Sequence, residues 1–162
     1  MWPNWLINPI NIILRINLRN LFASDTKIGW DDVIPPGLHK TWVDILTTFL
    51  RMGEITLSRA VKPERTVGRP IIIGYADGSL DAYGCSVYIR WELDSDCVSG
   101  DQWYFVRLVY GKARVTPVKG TTVPRSEIWG LFILLRPLKV VSNTMYVKPS
   151  TKKNVEEHNN KK

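Results

Sequence analysis

Two acids carry the strongest case for chemistry in this chain. Asp77 follows the apolar run Ile71-Ile72-Ile73-Gly74-Tyr75-Ala76, at the point where Gly78 and Ser79 turn the chain. Glu127 lies in Pro124-Arg125-Ser126-Glu127, where an apolar helical segment opens. Each has an ordinary reading as well. An aspartate before a Gly-Ser turn caps that turn through its side chain, and a glutamate in a first helical turn meets the positive end of the helix dipole. Three antiparallel strands followed by a helix can, however, bring such a glutamate over the end of the first strand. Two hard oxygen ligands placed there can hold Mg²⁺. With further carboxylates they can hold two ions about 3.5–4 Å apart, the arrangement used for in-line phosphoryl displacement. Neither acid makes this case separately; their order and spacing together do.

The elements that would position them follow from hydrophobic period. Ile71 to Ala76 is short, unbroken and rich in β-branched residues, which predicts a strand covered on both faces. Cys85, Val87, Ile89 and Trp91 then alternate with Ser86, Tyr88 and Arg90, giving a half-buried strand over Tyr83 to Trp91. Trp103 to Tyr110 reads as a third strand, with Tyr104, Val106, Leu108 and Tyr110 as its buried face. Pro124 opens a helix whose core face is Ile128, Leu131, Phe132 and Leu135, and Pro137 ends it.

Ahead of the sheet, Pro9 suits a first helical position after an Asn8 cap. Ile10, Ile13, Leu14, Leu18, Leu21 and Phe22 form one face of that helix. A second helix runs from Leu38 to Met52, with Leu38, Trp42, Ile45, Leu46, Phe49 and Leu50 as its stripe and Gly53 as its stop. Ile55 to Lys62 reads as a short strand. The stretch between the helices, with Asp31-Asp32 before Pro35-Pro36, reads as a turn rather than a metal pair. The acidic loop Glu92 to Gln102 lacks the alternating ligands of a calcium loop and reads as a solvated hairpin connection.

The chain of 162 residues carries a formal charge of +7. That charge favours an acidic partner, nucleic acid first. Lys112, Arg114 and Lys119 cluster just before the last helix, and Arg125 opens it. The two cysteines, Cys85 and Cys97, have neither metal-ligand spacing nor the number for a disulfide framework, so a reducing, intracellular setting is expected. No stretch is long and apolar enough to span a membrane.

Several blocks resemble one family. KIGWDDVIPPGLHKTW (Lys27 to Trp42), SRAVKPE (Ser58 to Glu64), IGYADGSLDAYGCSVYIRWEL (Ile73 to Leu93) and GKARVTPVKGTTVPRSEIWG (Gly111 to Gly130) are similar, in that order, to BEL/Pao retrotransposon polyproteins. The similar region spans the connection after the reverse transcriptase core and the start of the ribonuclease H-like domain. The resemblance implies that Asp77 and Glu127 match the first and second catalytic, Mg²⁺-binding carboxylates. It implies that Lys112, Arg114, Lys119 and Arg125 contact the backbone of an RNA–DNA hybrid. It also implies an α/β fold: an N-terminal helical arm, then an incomplete ribonuclease H-like three-stranded antiparallel sheet with one packed helix.

The family's third acid, an aspartate ending a fourth strand, is missing from the matching stretch Leu138 to Ser150, and no aspartate follows Asp101. The expected organisation is therefore a helical connection over 1–62, a linker over 63–70, a truncated half-domain over 71–147 and a disordered basic and polar tail over 148–162. The expected role is that of a polyprotein fragment, non-catalytic alone, binding nucleic acid or other polyprotein parts weakly. The alternative is a metal-dependent ribonuclease H-type endonuclease acting on hybrid. Mg²⁺, if held at all, would be held weakly.

Overall fold

The computed structural model describes residues 4–23, 28–29, 31–52, 60–98, 102–117 and 121–146. The alternation in the second strand sets the architecture. In β2 (Ala82–Leu93), Cys85, Val87, Ile89 and Trp91 are buried and the residues between them are not. The β-branched run gives β1 (Thr66–Gly78), and the aromatic stretch with its basic continuation gives β3 (Tyr104–Val115). The three form one antiparallel sheet in the order β1-β2-β3. Three helices complete the chain: α1 (Asn4–Ala23), α2 (Pro36–Met52) and α3 (Val123–Tyr146). α3 packs on β1 and β2, α1 packs on β3, and α2 touches α1. This is the expected α/β plan of a helical arm, a three-stranded antiparallel sheet and one packed helix.

The core lies between sheet and α3. Cys85, Val87 and Leu134 form its centre, with Ile72, Ala76, Val109, Tyr110, Ile133, Leu138 and Val141 packed around them. Burying each large aliphatic side chain contributes about 1.5–3 kcal/mol. Tyr146 donates from its hydroxyl to the carbonyl of Pro70 at 2.6 Å, which ties the end of α3 to the start of β1.

The face that α3 turns to the sheet differs from the expected one. Ile128, Leu131, Phe132 and Leu135 point outward, with Phe132 at 74% exposure, and the buried residues are Ser126, Gly130, Leu134 and Pro137. α3 is apolar on both sides, so hydrophobicity alone does not choose between them; how closely the backbones approach does. Small residues let the first turns of α3 touch the strand, and the bulky stripe is left outside. Pro137 does not end the helix. Its missing N–H removes one bond, to the carbonyl four residues back, while its ring is buried and the helix continues to Tyr146. The stretch from Leu138 onward, which corresponds to the place of the family's acid-bearing fourth strand, is therefore helical as far as Tyr146.

Strand details also differ. β1 begins at Thr66, so residues 66–70 of the expected linker are strand, and its register with β2 is interrupted between Val67 and Ile71. Gly68 lies in that interruption with φ of 68°, a left-handed conformation that favours glycine. β1 is covered on one face only. Ile72, Gly74 and Ala76 turn to α3, and Tyr75 on the other face is 60% exposed. In β3 the expected alternation breaks at a bulge: Tyr88 pairs with Leu108 but Val87 with Tyr110, so Val109 is an extra residue. Tyr110 therefore faces the core, whereas Tyr104, Val106 and Leu108 face away from α3.

α1 runs through Pro9 rather than starting there, since only one turn precedes the proline and one backbone bond is lost. Its docking is more polar than its stripe implied. Asn8 donates from Nδ2 to the carbonyl of Gly111 at 2.6 Å. Arg19 donates to the carbonyls of Thr116 and Asp81 and pairs with the Asp81 carboxylate at 2.6 Å. Thr116 is buried, and its hydroxyl donates to the carbonyl of Leu80. Because Asp81 is largely exposed, the ion pair itself contributes only about 0.2–1 kcal/mol. Ile13, Leu18 and Phe22 of the expected stripe stay more than two-fifths exposed. On α2 none of the described residues is buried.

Asp32 accepts the N–H of Gly29 at 2.6 Å, so it caps a turn as expected. A short 3-10 turn at Ser95–Cys97 follows β2, and the N–H of Leu93 donates to the carbonyl of Trp103 across the connection. Of the strand expected at Ile55 to Lys62, Ala60–Lys62 are irregular and the rest lies outside the described residues, as does the expected tail. No described helix is long and apolar enough to cross a membrane.

Candidate functional site

Asp77 is the penultimate residue of β1, opposite Gly84 of β2. Its Oδ1 accepts the N–H of Gly78 at 2.8 Å. The turn beyond it is closed by Ser79 instead. Ser79 donates from N–H and hydroxyl to the carbonyl of Ala82, and its Oγ accepts the N–H groups of Asp81 and Ala82. Turn geometry thus accounts for one bond of the Asp77 carboxylate and not for the residue type.

α3 crosses β1 at this point, and glycines make the crossing possible. A Cβ on Gly78 would lie 2.4 Å from the backbone nitrogen of Glu127, and one on Gly130 would lie 2.8 Å from the carbonyl oxygen of Asp77. The strand end bearing Asp77 and the helical turn bearing Glu127 are therefore in backbone contact. Glu127 is exposed and sits just past the first turn, which holds no acid, so the expected dipole role does not apply to it. Ser126 is fully buried at the crossing, and its hydroxyl has no hydrogen-bond partner. Because Gly78 turns to the helix, Asp77 lies in register with Ile73 and Tyr75 on the face turned away from α3.

The basic residues gather on the α3 side of the sheet. Lys112 stands opposite Cys85, and Arg114 opposite Tyr83. The Arg125 guanidinium lies 5.2 Å over the ring of Trp129, whose centroid is 5.5 Å from that of Tyr83. Arg125, Trp129 and Tyr83 thus form a short rank of one cation and two aromatic rings, and Arg114 continues it at the register position opposite Tyr83. Lys119 lies outside the described residues. Tyr83 and Trp129 were missed from sequence, although Arg125 and Trp129 are four residues apart and so share a helix face.

Cys85 is no candidate nucleophile. Burial pushes its thiol above the ordinary range, opposed in part by the Lys112 ammonium and a backbone hydrogen bond from Lys112. Burial likewise raises the Tyr110 hydroxyl.

Among the described residues no three of His, Cys, Asp and Glu come together as a metal-binding group. Asp77 and Glu127 could at most share one Mg²⁺, leaving most of its octahedral shell to water. They do not fit a paired-metal centre.

A family model described as "Pao retrotransposon-like RNaseH-like domain" matches residues 3–157. No curated protein and no solved structure matches.

Proposed function

The chain belongs to the Pao retrotransposon-like RNaseH-like domain family, and from that premise we propose that it is a nucleic-acid-binding module of a retrotransposon polyprotein that does not cleave nucleic acid by itself. The observation that carries this reading is the rank Arg114–Tyr83–Trp129–Arg125 beside the crossing of β1 and α3. It offers cations to phosphate groups next to the strand end where the family's first acid stands. Contact of that kind needs positive charge and not a particular base order. Binding to RNA–DNA hybrid is therefore weak, insensitive to sequence and driven by counterion release. Other parts of the polyprotein are further partners, and the setting is intracellular.

The expected test result is a titration of labelled hybrid at several salt concentrations in which log K falls linearly with log salt. Lys112→Gln and Arg114→Gln should each flatten the slope by about 0.9, the value for one phosphate contact. An affinity indifferent to salt, or slopes unchanged in both variants, would count against the reading.

The alternative, a metal-dependent ribonuclease H-type endonuclease, is favoured by one observation. Asp77 is held at an exposed strand end in backbone contact with the turn that carries Glu127. It requires at least one more acid, supplied from outside the described residues. In that setting Mg²⁺ would neutralise the developing phosphoryl charge, and Asp77 and Glu127 would be two of its holders.

A further inference from the structure

We propose that the open edge of β1 and the leucine flank of α3 beside it form one surface, which pairs with the same surface of a second copy of this chain. The inference is independent of the nucleic-acid reading above. β1 ends the sheet, and among the described residues no strand pairs with its outer edge. A strand edge leaves alternate N–H and C=O groups unpaired, and another extended backbone satisfies them. The first part of β1 is poorly suited to this. It holds the register break between Val67 and Ile71, and Pro70 has no N–H to donate. From Ile71 to Gly78 the register with β2 is unbroken, and Ile71, Gly74 and Tyr75 are exposed.

α3 leaves an apolar flank on that same side. Trp129 leans toward β2, against the ring of Tyr83, whereas Leu138 packs on β1, 3.3 Å from where Gly74 would carry a Cβ. At about 100° per residue, the helix surface turns from Trp129 through Leu134 and Leu138 to Leu131 and Leu135. Those two leucines therefore stand on the flank beyond β1, and they are 55% and 63% exposed.

A second copy fits both features at once. A two-fold axis normal to the sheet through Gly74 sets the two β1 strands antiparallel and keeps both α3 helices on one face of a continuous sheet. Ile73 then stands opposite the partner's Tyr75, a β-branched residue against an aromatic one, and Ile72 opposite the partner's Ala76. Asp77 meets the partner's Ile71, so no like charges oppose each other along the pair. Paired strands lie about 4.8 Å apart, and α3 spans β1 and β2. The two α3 axes are then about 10 Å apart, a distance at which helices pack, and Leu131 and Leu135 of each copy fill the space between them. A strand from another protein satisfies the edge alone; a second copy covers the leucines as well.

Sedimentation equilibrium of the full chain across the micromolar range is the test. The parent chain should approach twice its own mass as concentration rises. Leu135→Glu should weaken self-association about a hundredfold or more, because each dimer carries the change twice and each copy loses about tenfold. Leu135 is exposed in the single chain, so this variant keeps its fold and its far-UV circular dichroism should match the parent's. Phe132→Glu is the control. Phe132 lies on the outer side of α3, away from the flank, and its variant should still dimerise. Hydrogen exchange reports the strand: amides within 71–77 should exchange more slowly in the concentrated parent chain than in Leu135→Glu. A parent chain that stays monomeric would overturn the proposal. So would a dimer unaffected by Leu135→Glu, or one lost equally in Phe132→Glu, which would show unspecific association of exposed apolar side chains. A dimer without added protection at 71–77 would place the contact elsewhere and overturn it too.

Discussion

Gly78→Ala should unfold the chain or cost it about 3 kcal/mol or more in a urea titration, at the upper end of what overpacking does. An alanine Cβ at this position meets the backbone of Ser126 and Glu127 at 2.4 Å. Backbone cannot swing aside as a flexible side chain can, so α3 must lift from the strand. Lifting it also separates Leu134 from Gly74, where the leucine methyls already pack at 3.1 Å from the position of a Cβ. Gly37→Ala is the matching control. Nothing lies within 4 Å of its Cβ position, near the start of α2. Alanine there should be neutral or stabilise by up to about 1 kcal/mol. An unchanged urea midpoint for Gly78→Ala would show that the helix does not rest on this strand end, and the meeting of the Asp77 and Glu127 backbones would go with it.

Leu134→Ala should cost about 2–5 kcal/mol, because it empties the centre of the core. Phe132→Ala, two residues earlier on the same helix, should cost within about 0.5 kcal/mol, as for an exposed position. The ordering of the two in thermal or urea unfolding is the informative quantity. Helical periodicity read from sequence gives the reverse order, since it places Phe132 inside. A larger loss at Phe132 than at Leu134 would mean that α3 presents the other face to the sheet.

That reversal marks where the sequence was legible. The alternation Cys85, Val87, Ile89, Trp91 gave β2 and its buried face directly, because one side of it is apolar and the other is not. The pairing of Asp77 with the start of β2 followed from the short turn between them. α3 was legible as a helix but not in orientation. Its two faces are both apolar, and only the glycines at 74, 78 and 130, read as a set of close contacts, distinguish them. β3 was misread because Val109 is an extra residue, and a bulge changes phase without changing composition. The tolerance of Pro9 and Pro137 inside helices comes from tertiary packing and position, which local propensity does not contain. As for the site, Asp77 and Glu127 could be proposed from order and spacing. The link between the basic residues could not, since Tyr83 and Trp129 come from different elements and meet only in the fold.

The most direct test of the central claim is one gel experiment with hybrid labelled on its RNA strand, incubated with the full chain in Mg²⁺. The account predicts a retarded complex that dissolves as salt rises, with the RNA strand intact over the whole incubation and no difference between the parent chain and Asp77→Asn. Cleavage of the RNA strand by the parent chain, abolished in Asp77→Asn, would contradict it: the chain would then hold a complete metal-dependent nuclease centre, built with an acid that the described residues do not bring to Asp77 and Glu127.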